Sequence, residues 1–124
     1  GGSLANFYAG NIYLRQGEYK KAIEHLSAYK GEDKILAQQT KALIGDAYVE
    51  LGQLDKAISN YKDAAKSNNV MTTPFILLKL GQVYEMQKNN AEALNCYKRI
   101  KTEFPASQEY REIEKYISRL ENLQ

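Results

Sequence analysis

The side chains able to do covalent or acid–base chemistry are few in this chain, and their spacing keeps them from working together. His25 is the single histidine and Cys96 the single cysteine. A two-histidine metal site is thereby excluded, and any Ser-His-Asp or Cys-His nucleophile would have to be assembled around His25 alone. His25 and Cys96 stand at the same phase of an internal repeat, one position before Leu26 and Tyr97 and about two repeats apart, a separation at which they should not meet. The glycines never take the spacing of a phosphate-cradling loop after a strand. Acidic pairs such as Glu32-Asp33 read as charges at a helix start. The expectation is a chain with no catalytic residue, no metal ligand and no cofactor.

Charge and composition leave protein binding as the open class of function. Seventeen basic residues face fifteen acidic ones, a net charge of +2, so nothing calls for nucleic acid or an anionic membrane as partner. A lone cysteine cannot form an internal disulfide, which suits a reducing compartment without excluding an exported protein. No apolar run approaches the length of a membrane span, and no basic-then-apolar leader opens the chain. It begins Gly1-Gly2-Ser3 without an initiator Met, which reads as an excised fragment with a scar, whose native flank could carry an anchor. At 124 residues the expectation is a single domain spanning 1–124.

The elements that would position a binding surface come from self-similarity. Three segments lie in phase: AGNIYLRQGEYKKAIEHLSAY from Ala9, IGDAYVELGQLDKAISNYKDA from Ile44 and LGQVYEMQKNNAEALNCYKRI from Leu80. Gly10, Gly45 and Gly81 recur at 35 and then 36 residues; Tyr13, Tyr48 and Tyr84 follow three positions on, and Ala22, Ala57 and Ala93 twelve positions on. Leu26, Tyr61 and Tyr97 come four after each Ala. Self-similarity at this period marks stacked units that cannot bury their apolar faces alone. A Gly inside a helix costs roughly 1 kcal/mol against Ala, so three at one phase imply a close helix crossing, with the Ala set on the opposing helix and Tyr or Leu filling the space around it. Gly17 and Gly52 fall where each first helix must stop, and they read as left-handed C-caps.

This pattern resembles the tetratricopeptide repeat family over roughly Leu4 to Pro105. The resemblance implies an all-α fold, a right-handed superhelical α-α solenoid of three helix pairs with repeats at about 3–36, 38–71 and 74–106, closed by a capping helix over 107–123. Departures are present: Asn6, Lys41 and Leu77 replace the usual Trp, Tyr29 and Ile100 replace the last Ala, and Lys88 stands where the third turn Gly belongs, followed by Asn89 and Asn90. A slightly shifted turn is expected there, because Asn tolerates the left-handed conformation.

Periodicity and capping signals place helices at about 4–16, 19–29, 34–51, 54–66, 74–88, 91–103 and 107–122, with ends good to roughly 2–4 residues. Asp33 should cap the third helix, the Thr73 hydroxyl the fifth with Pro74 in its first turn, and Pro105-Ala106-Ser107 should start the seventh. The stretch from Ser67 to Thr72 is the longest connector and the candidate mobile segment. Ile113, Tyr116, Ile117, Leu120 and Leu123 form one stripe of the final helix, as a solenoid cap requires. Leu4, Phe7 and Tyr8 have no such cover, so an upstream helix, a homodimer partner through this first helix, or another protein is expected on them.

By resemblance to the family, the first helix of each pair lines a concave groove. The residues assigned to it are Phe7, Asn11, Leu14 and Arg15; Ala42, Leu43, Asp46, Val49 and Glu50; and Leu78, Lys79, Gln82, Glu85 and Met86. Such a mixed surface suits a peptide or helix of another protein, apolar contacts supplying affinity and charges the register. A subclass of the family clamps chaperone C-terminal carboxylates with Lys and Asn side chains. Asn11 and Lys79 occupy two of those places, but Phe7, Leu43 and Phe75 stand at others, so a carboxylate clamp is not expected. The run LANFYAGNIYLRQGEYKKAIEHL, with the SRL-bearing last helix, is similar to membrane-anchored bacterial repeat proteins related to the ancillary subunit of the Sec translocon. That similarity implies an envelope location on the periplasmic side, assisting chaperones of exported proteins; a cytoplasmic location stays open beside it.

Overall fold

The computed structural model describes residues 2–123. Seven helices make up the described residues: α1 (Gly2–Arg15), α2 (Tyr19–Ser27), α3 (Lys34–Glu50), α4 (Leu54–Ala65), α5 (Thr73–Met86), α6 (Asn90–Glu103) and α7 (Tyr110–Glu121), with no strand among them. No helix is long and apolar enough to cross a membrane among these residues. Two compact units are present, Gly1–Lys66 and Ser67–Gln124. In the first, α1 pairs with α2 and α3 with α4, while α2 also packs on α3 and α1 touches it. In the second, α5 pairs with α6, and α6 carries α7 on its other side.

The crossings are built as the small-residue spacing implies. A methyl added at Gly10 would stand 2.5 Å from Leu26 Cγ, and one at Gly45 2.6 Å from Tyr61 Cε1; at Gly81 it would collide with the Tyr97 ring. In every pair the missing Cβ admits the bulky residue that the second helix carries four positions beyond its Ala. Ala22, Ala57 and Ala93 are fully buried. Around the first crossing, Phe7, Ala22, Leu26 and Ile44 form a core with Ile23, Tyr29, Leu36, Leu43 and Tyr48 packed against it.

Three helix stops share one geometry. The amide of Gly17 donates to Leu14 O and that of Glu18 to Tyr13 O; Gly52 and Gln53 repeat this on Val49 and Tyr48, and Lys88 and Asn89 on Glu85 and Tyr84. This is the paired bonding of a Schellman stop, which needs a left-handed residue at its centre. Gly17 and Gly52 adopt φ of 77° and 74°, and Lys88 adopts 61°. The third turn is therefore not shifted onto the asparagines: Lys88 takes the strained conformation in place. Asn89 instead caps α6, its Oδ1 accepting from the Glu92 amide at 3.3 Å.

Three other start and loop signals resolve in detail. Asp33 caps α3 as expected, Oδ1 accepting from the Ile35 and Leu36 amides at 2.9 and 3.0 Å. Thr73 does not cap α5; Thr72 holds the N-cap position, and the buried Thr73 hydroxyl donates to Ser67 O and accepts from the Asn69 amide. Asn69 Oδ1 accepts from the Met71 and Thr72 amides, so the connector is pinned from within. Helix α7 starts three residues later than the periodicity suggests, because Ser107 spends its hydroxyl on Phe104 O and on the Tyr110 amide. Of the cap stripe, Ile113, Ile117 and Leu120 are buried and Tyr116 half-buried, whereas Leu123 lies past the helix end and is exposed. Ion pairs from Lys98 to Glu121 and from Lys101 to Glu114 flank the stripe.

Candidate functional site

The first helices carry the assigned residues at i, i+4, i+7 and i+8, with Leu43 and Lys79 added at i+1, which sets each group on one helical face. In the first unit that face divides by depth. Phe7 and Ala42 are buried, with Leu14 and Leu43 packed on the core. Phe7 stacks obliquely on Tyr29 with centroids 5.8 Å apart. These four are committed to the unit's own packing, since a ring or methyl that fills a crossing has little surface left for a ligand. Arg15 and Glu50 are exposed, with Asn11, Asp46 and Val49 half-buried between.

The polar members at the inner edge are engaged within the fold. Asn11 Nδ2 donates to Phe7 O at 3.0 Å. Asp46 Oδ1 accepts from the Tyr61 hydroxyl. Burial first, and then this bond to a carboxylate, push the Tyr61 hydroxyl far above its usual range, so it remains a donor at every physiological pH. His25, the lone imidazole, stacks on Tyr13 at 5.2 Å and has Nδ1 3.0 Å from Asn6 Oδ1.

In the second unit, Leu78 and Lys79 are half-buried, Gln82 and Met86 exposed, and Glu85 is held from two directions. Tyr97 donates to Glu85 Oε2 at 2.5 Å, and Arg119 of the cap grips both oxygens, Nη1 to Oε1 at 2.5 Å and Nη2 to Oε2 at 2.9 Å. The Arg119 bond holds the Glu85 carboxyl below the usual carboxylate range, against the opposing effect of partial burial and with help from Tyr97. Burial and the Glu85 bond raise the Tyr97 hydroxyl in turn. Lys79 Nζ lies over the Phe75 ring, 4.4 Å from its centroid, and Arg119 over Tyr116. The apolar stripe read from the sequence leaves Arg119 out, and this clamp was missed. Opposite charges 34 positions apart give no local signal, and only the docking of α7 brings them together.

The remaining candidates for chemistry stay apart from these faces. Cys96 is buried and forms no disulfide. No group of three or more His, Cys, Asp and Glu side chains that could hold a metal ion occurs among the described residues. On these faces, exposed polar and charged side chains lie beside apolar ones that are mostly committed to packing.

Comparison with known proteins agrees with this architecture. Among solved structures, the chain is similar to the first tetratricopeptide domain of Spaghetti (RPAP3), bound to the HSP90 peptide SRMEEVD, with a TM-score of 0.73 at 20% sequence identity, covering 98% of this chain and 92% of that one. No curated protein matches by sequence. The model of the tetratricopeptide repeat matches residues 2–34 and 43–107, and with its spacing and crossings accounted for, the chain belongs to the tetratricopeptide repeat family.

Proposed function

We propose that this chain is a non-enzymatic interaction module that holds a peptide or helix of another protein against the faces of its first helices. The observation that carries this reading is a division of labour on those faces. Side chains at their inner edge are consumed by the fold, as with Asp46 on Tyr61 and Glu85 on Arg119. Among the described residues no hydrogen bond or ion pair holds the side chains of Arg15, Glu50 or Gln82, and Met86 is exposed beside them. Exposed polar groups beside a partly apolar floor give a ligand both register and contact area. The solved neighbour, itself holding a peptide, supports the same mode of use.

A C-terminal carboxylate is a poor match for the ligand. Of the two side chains that fit a clamp, Asn11 is folded onto its own helix and Lys79 lies on Phe75. The resemblance of the first helix pair to anchored envelope proteins points to partners among exported proteins and their chaperones; a hydrophobic helix encoded upstream would favour that location, and its absence the cytoplasm.

The test is selection of peptides from a display library on the whole chain, followed by calorimetric titration. Arg15→Glu with Glu50→Arg, and separately Gln82→Arg with Met86→Glu, should leave the denaturation midpoint unchanged and weaken the selected peptide by about tenfold or more at the face it uses. Failure to select any peptide, or undiminished binding by both variants, would count against the module.

A further inference from the structure

The second unit carries a cleft that uses none of the residues on the first-helix faces. Its volume is about 350 Å³, and it lies between the connector into α5 and the one from α6 to α7. Val70, Met71, Phe104 and Pro105 give it apolar walls, and Glu103 and Glu109 are its acidic lining. Val70 and Met71 are 71 and 80% exposed. Repeat packing does not ask for them, because the residues two and three before α3 are Glu32 and Gly31, and those before α7 are Gln108 and Ser107. They are nonetheless held in place: Asn69 Oδ1 accepts from the Met71 and Thr72 amides, and the Thr73 hydroxyl ties down Ser67 and Asn69. An apolar lip already ordered in water costs a ligand little to engage.

Charge then fixes the kind of ligand. Among the described residues no basic side chain lines the cleft. Glu103 is paired along α6 with Arg99 at 3.1 Å. Glu109 is half-buried, and among the described residues no hydrogen bond or ion pair holds its carboxylate. It stands at the N-cap of α7 without making a cap bond there. The end of α6 adds to the same sign. Pro105 has no amide to give, Phe104 is not left-handed at φ −131°, and its amide alone returns to the helix, onto Ile100 O. The carbonyls of Lys101, Thr102 and Glu103 therefore leave the negative end of the α6 dipole uncapped where Glu103 meets the cleft.

We infer that this cleft docks a segment of another protein in which an arginine adjoins an apolar residue. The guanidinium meets Glu109, the aliphatic stem lies on Phe104 and Pro105, and the apolar neighbour rests on Val70 and Met71. A guanidinium is weakly hydrated and has donors enough for a carboxylate and helix carbonyls together. The volume suits one anchor side chain, since it stands at the low end of the range for pockets that enclose a whole small molecule. Arginine is among the residues that most often anchor interfaces.

Titration of the isotope-labelled whole chain with the tetrapeptide acetyl-Gly-Leu-Arg-Gly-amide, followed by amide chemical shifts, tests it. Shifts should move at Val70, Met71, Ala106 and Gln108 and saturate in the millimolar range. Citrulline in place of the arginine keeps the shape and removes the charge, and it should weaken binding about fivefold. Serine in place of the leucine should weaken it by a similar factor. Glu109→Gln should bind the arginine and citrulline peptides alike, and Met71→Ser the leucine and serine peptides alike, with far-UV circular dichroism showing both variants folded. Arg15→Glu with Glu50→Arg, and Gln82→Arg with Met86→Glu, should leave this binding unchanged, which separates it from the first-helix faces. No shift at the cleft up to tens of millimolar overturns the proposal, as does a Glu109→Gln chain that still prefers arginine to citrulline. Butylguanidine alone binding as tightly as the tetrapeptide would overturn it too, because the cleft would then be a small-molecule site.

Discussion

The crossings of α3 with α4 and of α5 with α6 start from one plan and finish it differently. In both, a glycine on the first helix admits a buried tyrosine from the second, and the tyrosine hydroxyl reaches a carboxylate on the first helix. In α3 that carboxylate is Asp46, one position after Gly45; in α5 it is Glu85, four positions after Gly81. Gln82 stands at the phase of Asp46 and Val49 at that of Glu85, so the acid has moved one turn along the helix while its tyrosine stayed. The displaced acid falls within reach of the cap, and Arg119 closes on it. In the pair of α1 with α2, Leu26 fills the same space without a hydroxyl, and the polar group at that phase, Asn11, turns back to its own backbone. Packing at the crossing is thus the invariant, and the hydrogen bond is fitted to whichever acid lies near.

Truncating the tyrosines should produce the largest effect. Tyr61→Ala and Tyr97→Ala each remove a buried ring and should cost about 3–5 kcal/mol in urea-unfolding free energy. Tyr97→Ala should be the more damaging, because Tyr97 also meets the Tyr116 ring of the cap edge-on at 5.3 Å. Equal costs would mean that the cap draws no support from this ring. Gly45→Ala and Gly81→Ala come next: overpacking of roughly 1–3 kcal/mol, offset by up to about 1 kcal/mol of helix propensity, leaves a net loss of about 1–2 kcal/mol. A gain in stability at either glycine would break the shared plan.

Removing only the hydroxyls isolates the difference between the two crossings. Tyr61→Phe should cost about 1.5 kcal/mol, the lower end of the range for a hydrogen bond to a charged group, because Asp46 is only half-buried. Tyr97→Phe should cost less, since Arg119 remains on Glu85. The pH dependence has a defined sign. The folded Glu85 carboxyl titrates below its usual range, so its contribution is present above that range and is lost as pH falls through the depressed value. Arg119→Gln removes the chief cause, so in carboxyl-detected NMR the Glu85 titration should move upward; an unmoved midpoint would show that the clamp is not what holds it down. The smallest effect belongs to the third turn: Lys88→Gly relieves a left-handed lysine and should stabilise by about 1 kcal/mol or less.

Repeat phase, helix order and the two glycine stops were legible in the sequence because each rests on a local requirement, a missing Cβ or a positive φ, that few residues meet. The third stop was misread in one particular, since the bonding of the turn forces Lys88 to conform even though Asn89 follows. Thr73 misled for a similar reason: a hydroxyl before proline signals a cap, yet its burial put it within reach of Ser67 O and the Asn69 amide. At the candidate faces, the residue types were readable and their commitments were not. Nothing within a helix's own sequence says that Phe7 lies inward, or that Glu85 is taken by a residue of α7, because both follow from how separate helices dock.

The central claim is that the side chains left over on the first helices are the ones a partner uses. Chemical-shift mapping of an isotope-labelled chain with a display-selected peptide tests it most directly. The account predicts perturbations gathered on the first helices, at Arg15 and Glu50 in one unit or Gln82 and Met86 in the other. Perturbations confined to α2, α4 and α6 would contradict it.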